Sequence, residues 1–198
     1  DHGYDVRERM NLLEMEGKLM YIHRRVGFNY RMTEMQSQIG LCELARLDSW
    51  NLANRKRNGE LFINELGDHP LVEDVPLNTS DRLNAFWWAP FVLKVERLNC
   101  DIKAFIKAVG AEGVPVYSVL WPEMYQEKAF VERNGFGSRN YPFEDPAARK
   151  IDYSDCVCEN ARRLTDRTIS FFTHPVYTEK HIQLCVEAFR KVADVMMD

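Results

Sequence analysis

A side-chain amide and a guanidinium stand close together just before a predicted helix, at Asn29 and Arg31. Gly27 gives the backbone beside them conformational freedom, and Thr33 followed three residues later by Gln36 is a capping-box pattern that predicts a helix start. Helix starts attract anions, because their free N–H groups and the macrodipole both favour negative charge. The spacing therefore predicts a site for an anion such as phosphate.

The same residues also have a purely structural interpretation. Asn29 can close a turn, and Arg31 can pair with a surface carboxylate, as these residue types commonly do. Spacing alone does not separate the two interpretations.

The helix that follows must position this loop. Its apolar residues are spaced as on one helix face, which predicts an amphipathic helix. Residues 33–66 are typical of one long helix or two abutting helices, ended by Gly67 and Pro70. The predicted apolar stripe consists of Met35, Ile39 and Cys42, widened by Leu41, Leu44 and Leu47.

Beyond this helical region, the pattern predicts a small α/β layer from about residue 70 onward. Strands are predicted over residues 86–95, 114–119 and 168–172, and Pro90 suggests an edge or a bulge in the first of them. Asn99 and Thr178 are predicted to cap two further helices, and residues 154–164 form another. The intervening stretch, residues 121–145, is long, irregular and rich in aromatic side chains.

Residues 27–48 strongly resemble a segment of the DegT/StrS-type sugar aminotransferases, which use pyridoxal phosphate (PLP). This segment contains an N-Y-R-M motif, Asn29-Tyr30-Arg31-Met32, and Asp1-His2-Gly3-Tyr4 also resembles a family segment, so the similarity spans nearly the whole chain. Further matching segments are Ala111-Glu112-Gly113-Val114-Pro115-Val116, Pro122-Glu123-Met124-Tyr125, Arg167-Thr168-Ile169-Ser170 and His174-Pro175-Val176-Tyr177-Thr178-Glu179.

This resemblance implies an α/β fold. The chain is expected to comprise the C-terminal small domain of an aspartate-aminotransferase-like PLP-dependent transferase and the end of its large domain. Residues 1–67 would be the end of the large domain, with the interface loop and a long linking helix, and residues 68–198 the small domain. Members of the family are nearly twice as long, so the chain is expected to be the C-terminal part of a longer polypeptide.

The resemblance also implies a homodimer whose active sites are shared between subunits. Asn29 would then reach the phosphate of the PLP bound to the partner subunit, since an amide donates to phosphate oxygens without adding charge. Arg31 would hold a phosphate of the substrate or pair structurally within the interface, and guanidinium suits both roles.

The chain departs from the commoner family pattern where many members carry histidines. Tyr117, Trp121 and Tyr125 place large amphipathic rings there, which resembles a branch of the family that includes amino-cyclitol-forming members. Such rings can stack on the C–H faces of a sugar or cyclitol, and these three residues are therefore candidates for substrate binding. Packing is the alternative for all of them, and for Trp87 and Trp88 it is the favoured interpretation.

Nine lysines are present, and none lies in a segment that resembles the family's Schiff-base lysine segment. The expected function is part of an aminotransferase that moves an amino group from glutamate or glutamine to a keto-sugar or keto-cyclitol, nucleotide-linked or free. These 198 residues alone are expected to be inactive. The alternative is a non-catalytic, dimerising or sugar-sensing module of the same fold.

Composition excludes several other classes. A net charge of −4 and a pI of about 5.8 argue against nucleic-acid binding. No apolar run approaches the length of a membrane span, so no membrane partner is expected. Five irregularly spaced cysteines favour free thiols in a cytoplasmic protein, and Cys156 with Cys158 lacks the further ligands that a metal site needs.

Overall fold

The structure, a computed structural model, describes residues 23–119 and 123–198. Contacts within the chain define two units. The sheet unit consists of Thr33–Val119 and Leu164–Asp198, and the loop unit consists of Asp1–Met32 and Leu120–Arg163. The candidate Trp121 lies outside the described residues.

Four antiparallel strands form the sheet, in the order β1-β2-β4-β3. Trp88 pairs with Phe172 and Phe91 with Ile169 across the two longest strands. The mixed α/β class is confirmed, and the strand over residues 168–172 lies where it was predicted. The strand bounds are β1 Val72–Asp74, β2 Trp88–Leu93, β3 Val116–Tyr117 and β4 Thr168–Phe172.

Pro90 lies in β2, which has a neighbouring strand on each side. The Leu93 N–H donates to the carbonyl of Arg167, on the β4 side of the strand. Because the backbone hydrogen-bonding groups of successive residues point to alternate sides of a strand, those of residue 90 face β1. On that side β1 pairs only with Val92 and Leu93. Pro90 therefore occupies a locally unpaired position within an internal strand, where its missing N–H costs no ladder bond.

The helices Ala53–Leu66, Ile102–Ala111 and Glu179–Met196 cover one face of this sheet and enclose the hydrophobic core of the sheet unit. Along β2, alternate residues Ala89, Phe91 and Leu93 are fully buried, as expected for a strand with one covered face. The helix bounds are α1 Glu34–Ala45, α2 Ala53–Leu66, α3 Ile102–Ala111, α4 Lys128–Val131, α5 Glu159–Thr165 and α6 Glu179–Met196. The largest buried side chains are Phe62, Phe91, Phe105, Phe171, Phe189, Leu66, Leu71, Leu93, Ile169 and Ile182.

The predicted helical region 33–66 is two helices joined by a π-helical segment, Leu47–Leu52. Thr178 caps α6 as predicted, in a capping box completed by His181. The prediction for α3 was wrong by two residues: Asp101, whose carboxylate accepts from the Ala104 N–H at 2.7 Å, is the cap instead of Asn99. Aspartate and asparagine are similarly good caps, so residue type alone does not decide between Asp101 and Asn99.

Two features fix α2 against the end of β2. Gly59 lies in the middle of the helix, where a Cβ atom would overlap the ring of Phe86. Phe86 has a left-handed φ of 51°, and its ring is buried while Trp87 beside it is 67% exposed. Thr173 donates through its hydroxyl to the carbonyls of both Phe86 and Trp87, at 3.0 Å for the latter, which holds this turn in place.

A buried amide connects α2 to the turn before α6. Asn58 is fully buried, and its Nδ2 donates to the carbonyl oxygens of His174 at 2.9 Å and Tyr177 at 3.3 Å. Its Oδ1 accepts from Nε and Nη2 of Arg57, at 3.2 and 2.9 Å. Because both ends of the amide are engaged, the orientation of Asn58 is fixed by its neighbours.

The division into units falls elsewhere than the predicted boundary after residue 67, because α2 packs on the sheet within one unit. Which domain of a longer protein each part belongs to stays a prediction. Among the described residues, no helix is both long and apolar enough to cross a membrane.

Candidate functional site

The predicted anion loop lies in the loop unit and is exposed from Gly27 to Arg31. The rings of Phe28 and Tyr30 stack on each other, with centroids 5.3 Å apart and planes 18° from parallel. Side chains two residues apart lie on the same side of an extended segment, so the side chain of Asn29, between Phe28 and Tyr30, points to the opposite side. Its amide is therefore presented to solvent, where a ligand can reach it.

The helix start beside this loop has the geometry that the sequence predicted. Thr33 accepts from the Gln36 N–H at 3.3 Å, and the Gln36 side chain accepts from the Thr33 N–H at 2.8 Å. This capping box consumes two of the free N–H groups at the start of α1. The remaining free donors and the macrodipole still favour an anion there.

The expectation that α1 is amphipathic was wrong. Met35 and Ile39 lie on one side of the helix, but Leu41 and Leu44, six and nine residues after Met35, fall on the opposite side at 100° per residue. All four are more than 60% exposed. The apolar residues thus form two faces instead of one stripe, and none of them is buried within the described residues.

A buried carboxylate organises the segment that contains Tyr125. Glu123 is only 3% exposed and accepts from the Tyr125 hydroxyl and from Nε of Arg162, the latter at 2.7 Å. The bond to Glu123 raises the pKa of the Arg162 guanidinium. The Tyr125 oxygen also accepts from the Cys158 N–H at 3.3 Å, so its hydroxyl is engaged on both sides and its ring is the part left for a ligand.

A second buried carboxylate, Glu127, fastens the chain on which the anion loop begins. One of its oxygens, Oε2, accepts from the His23 backbone N–H at 2.7 Å, and the other, Oε1, lies 3.1 Å from the His23 ring nitrogen Nδ1. The Ala129 N–H donates to the His23 carbonyl at 2.6 Å. Sequence reasoning missed Glu123, Glu127 and Arg162, because their partners lie far away in sequence.

Tyr117 lies in the sheet unit, at the end of edge strand β3, and is 43% exposed. Its ring meets the ring of Trp88 edge-on at 4.6 Å, and Trp88 also contacts Phe172 at 5.0 Å. Trp88 therefore has the packing role that was favoured for it. Trp87 is largely exposed, so it is not part of the core of the sheet unit.

Residues 133–141 form a tight hairpin in the loop unit, next to the anion loop. Phe136 and Tyr141 exchange two backbone hydrogen bonds, of 2.7 and 3.0 Å. An open cavity of about 570 Å³ lies against this hairpin. It is lined by Phe136, Gly137, Ser138, Arg139, Tyr141, Glu144, Asp145 and Pro146.

No cluster of three or more metal-ligating side chains occurs in residues 23–119 and 123–198. The five cysteines are free thiols, including Cys156 and Cys158.

The model of the DegT/DnrJ/EryC1/StrS aminotransferase family matches residues 4–151 of this sequence. The chain belongs to this family. The matched range contains the anion loop, both candidate tyrosines and the hairpin, whereas Cys158 and Arg162 lie beyond it.

Solved structures of two aminotransferases and of a sugar dehydratase show the same fold. An aminotransferase from Psychrobacter cryohalolentis matches with a TM-score of 0.63 at 24% identity, over 99% of this chain and 47% of its own. A sugar aminotransferase from Micromonospora echinospora matches with a TM-score of 0.55 at 21% identity, over 96% of this chain and 42% of its own. The GDP-4-keto-6-deoxy-D-mannose-3-dehydratase of E. coli, solved with bound hydrated PLP, matches with a TM-score of 0.60 at 18% identity, over 82% of this chain and 36% of its own.

The chain thus spans less than half the length of these structures. Its membership of the DegT/DnrJ/EryC1/StrS family and its PLP-transferase fold are established by these matches.

Proposed function

We propose that this chain is part of a PLP-dependent aminotransferase that moves an amino group from glutamate or glutamine to a keto-sugar or keto-cyclitol. The family match over residues 4–151 is the observation that carries the proposal. The sugar is nucleotide-linked or free. The cytoplasm is the proposed location, consistent with five free cysteines.

The residues of the anion loop fit the phosphate of PLP. Asn29 is exposed and offers an amide N–H donor that adds no charge, and a capped helix begins four residues later at Thr33. When bound, PLP supplies the electron sink for the chemistry, and the protein supplies its position. In this proposal Asn29 holds the phosphate of the PLP in the partner subunit.

Arg31, Tyr117, Trp121 and Tyr125 are proposed to contact the substrate. Arg31 is exposed on the same loop as Asn29. Tyr125 contributes through its ring, because its hydroxyl is bonded to Glu123 and to the Cys158 N–H. Aromatic rings of this kind suit the C–H faces of a sugar or cyclitol.

A homodimer is proposed because α1 exposes apolar side chains on two faces. A helix that is hydrophobic around its circumference is normally buried, and exposed apolar patches of this kind mark interfaces. A two-fold contact would place the same residues on both partners. Ile39, 63% exposed, should therefore matter for association.

Analytical ultracentrifugation tests this assembly. Ile39→Asp should shift the longer protein toward monomer, whereas Gln38→Asp, at an exposed position of the same helix without an apolar side chain, should not. Unchanged association of Ile39→Asp would refute the assigned interface.

The proposed role of Asn29 is tested by PLP retention in the longer protein. Asn29→Ala should weaken PLP binding by roughly 1–3 kcal/mol, the value of a hydrogen bond to a charged group, and saturating PLP should restore much of the turnover. Asn64→Ala, at an exposed asparagine of α2, is the matched control. Wild-type PLP retention by Asn29→Ala would overturn the assignment.

Arg31→Ala distinguishes the two roles of the guanidinium. A higher KM for the sugar substrate with an intact dimer assigns Arg31 to the substrate, and a dissociated dimer assigns it to the interface.

A non-catalytic module remains the second candidate, because none of the lysines in the described ranges is buried. An amine nucleophile normally needs a pKa lowered by desolvation or by a neighbouring cation. Borohydride treatment of the longer protein with PLP, followed by intact-mass measurement, decides between the two. A covalent adduct supports the enzyme, and its absence supports the module.

A further inference from the structure

The hairpin of residues 133–141 is held together at its base by one side chain. Asn140 donates through Nδ2 to the carbonyl of Arg133 at 2.7 Å, and its Oδ1 accepts from the Gly135 N–H. Together with the two backbone bonds between Phe136 and Tyr141, these contacts close the loop from both strands. The hairpin is therefore closed by both backbone and side-chain hydrogen bonds.

The hairpin also keeps two side-chain-bearing residues in the left-handed region. Arg133 has a φ of 54° and Asn140 a φ of 52°. Such conformations persist only where the surroundings enforce them, and they concentrate at functional sites. The Arg133 guanidinium supplies part of that enforcement, since it donates to the carbonyls of Ile151 at 2.9 Å and Phe143 at 2.8 Å.

This hairpin contacts the anion loop directly. The Val26 N–H donates to the Asn134 carbonyl at 3.1 Å, and the ring of Phe28 meets the ring of Phe136 edge-on at 4.9 Å. Phe28 in turn stacks on Tyr30. Three rings thus lie in series from the hairpin to the residues on both sides of Asn29.

We propose that Phe136 is a positioning residue for Asn29. This proposal rests on the proposed function, in which Asn29 binds the PLP phosphate. Because Phe28 and Tyr30 occupy the side of the loop that contacts Phe136, the hairpin directs the Asn29 amide to the opposite side. The three rings are 47%, 86% and 54% exposed for Phe28, Tyr30 and Phe136, so their contact orients the loop without being part of a core.

The test compares PLP with pyridoxal, which lacks the phosphate. Both dissociation constants are measured on the longer protein by absorbance and by tryptophan fluorescence. Phe136→Ala should weaken PLP binding roughly 2- to 12-fold, the factor that the loss of one aromatic pair corresponds to, and leave pyridoxal binding unchanged. Phe136→Tyr should restore PLP binding, because it keeps the ring edge that faces Phe28.

Tyr141→Ala is the matched control. Tyr141 is 59% exposed in the same hairpin, and its backbone bonds to Phe136 survive the substitution. It should leave both dissociation constants unchanged. Circular dichroism verifies that each variant is folded, and Phe136→Leu, which keeps the apolar volume but not the ring, replaces Phe136→Ala if the latter unfolds.

The outcomes separate this proposal from the proposed function. If Asn29→Ala leaves the preference for PLP over pyridoxal unchanged, the phosphate role of Asn29 is wrong. If Asn29→Ala lowers that preference and Phe136→Ala does not, the positioning role alone is overturned. Equal weakening of PLP and pyridoxal binding by Phe136→Ala would show a general structural role and would also overturn it.

Discussion

Asn58→Ala should lower the free energy of unfolding of the chain by about 2–3 kcal/mol. The substitution removes two bonds to the carbonyls of His174 and Tyr177 and two from Arg57. Each carbonyl keeps one other hydrogen-bond donor in the variant. The His174 carbonyl accepts from the Tyr177 N–H at 3.0 Å, and the Tyr177 carbonyl accepts from Nη2 of Arg57 at 2.7 Å. The cost is therefore roughly 1 kcal/mol for each of the two lost bonds to carbonyls, plus up to about 1 kcal/mol for the Arg57 contacts, because the half-buried guanidinium keeps its bonds to Asn54 and Tyr177.

Urea unfolding followed by circular dichroism measures this loss. Asn54→Ala is the control, because Asn54 is half-buried and accepts a bond from Nη1 of Arg57 at 2.8 Å. Its expected cost is below about 1 kcal/mol, near that of a single bond that water can replace.

Asn58→Asp tests the direction of the bonds. It places a carboxylate oxygen where Nδ2 now donates to two carbonyl oxygens, so it should destabilise more than alanine despite the nearby Arg57. The reasoning is refuted if Asn58→Ala falls within about 0.5 kcal/mol of the wild type, the usual range of surface substitutions.

Three further predictions concern the cofactor, pH and the helix start. The 198-residue chain alone should form no borohydride-stable adduct with PLP on any of its nine lysines, as read by intact mass, and one such adduct contradicts this. Burial, and secondarily the charge of Arg190, lower the pKa of His69 below its ordinary 6.5. The unfolded state then takes up a proton that the folded state resists, so stability should decrease as the pH falls through about 6.5, and His69→Gln should reduce that decrease in urea titrations. Thr33→Ala should cost α1 about 1 kcal/mol and reduce helical circular dichroism, whereas Thr33→Ser, which keeps the capping oxygen, should not.

Local signals in the sequence predicted the parts of the fold that depend on neighbouring residues. The capping box of Thr33 and Gln36 and the β4 strand are confirmed, because both depend on short-range chemistry. Strand β1 was missed, since three residues with a single buried side chain, Val72, carry no alternating pattern. Its position is decided by pairing with Leu93, which is a tertiary contact.

The candidate site shows the same limit. Asn29 and Arg31 could be singled out by resemblance, but the partners that hold the surrounding chain could not. Glu123 meets Arg162 across 39 residues, and Glu127 meets His23 across 104. Such pairs leave no spacing signal, and a glutamate in a polar stretch is normally a surface residue. The spacing does indicate the two apolar faces of α1. The prediction of a single stripe was wrong because it assigned the leucines to the same face as Met35 and Ile39.

The contact between Gly59 and Phe86 has a consequence for protein engineering. Replacing a glycine in a helix by alanine is a routine stabilising change, commonly worth about 0.5–1 kcal/mol. At Gly59 the added methyl group would collide with the buried Phe86 ring, so the sign of the change should reverse. A design or consensus library would therefore have to exchange both positions together, with a smaller side chain at residue 86. Residues 59 and 86 should therefore be able to vary only together, although they lie 27 positions apart in sequence.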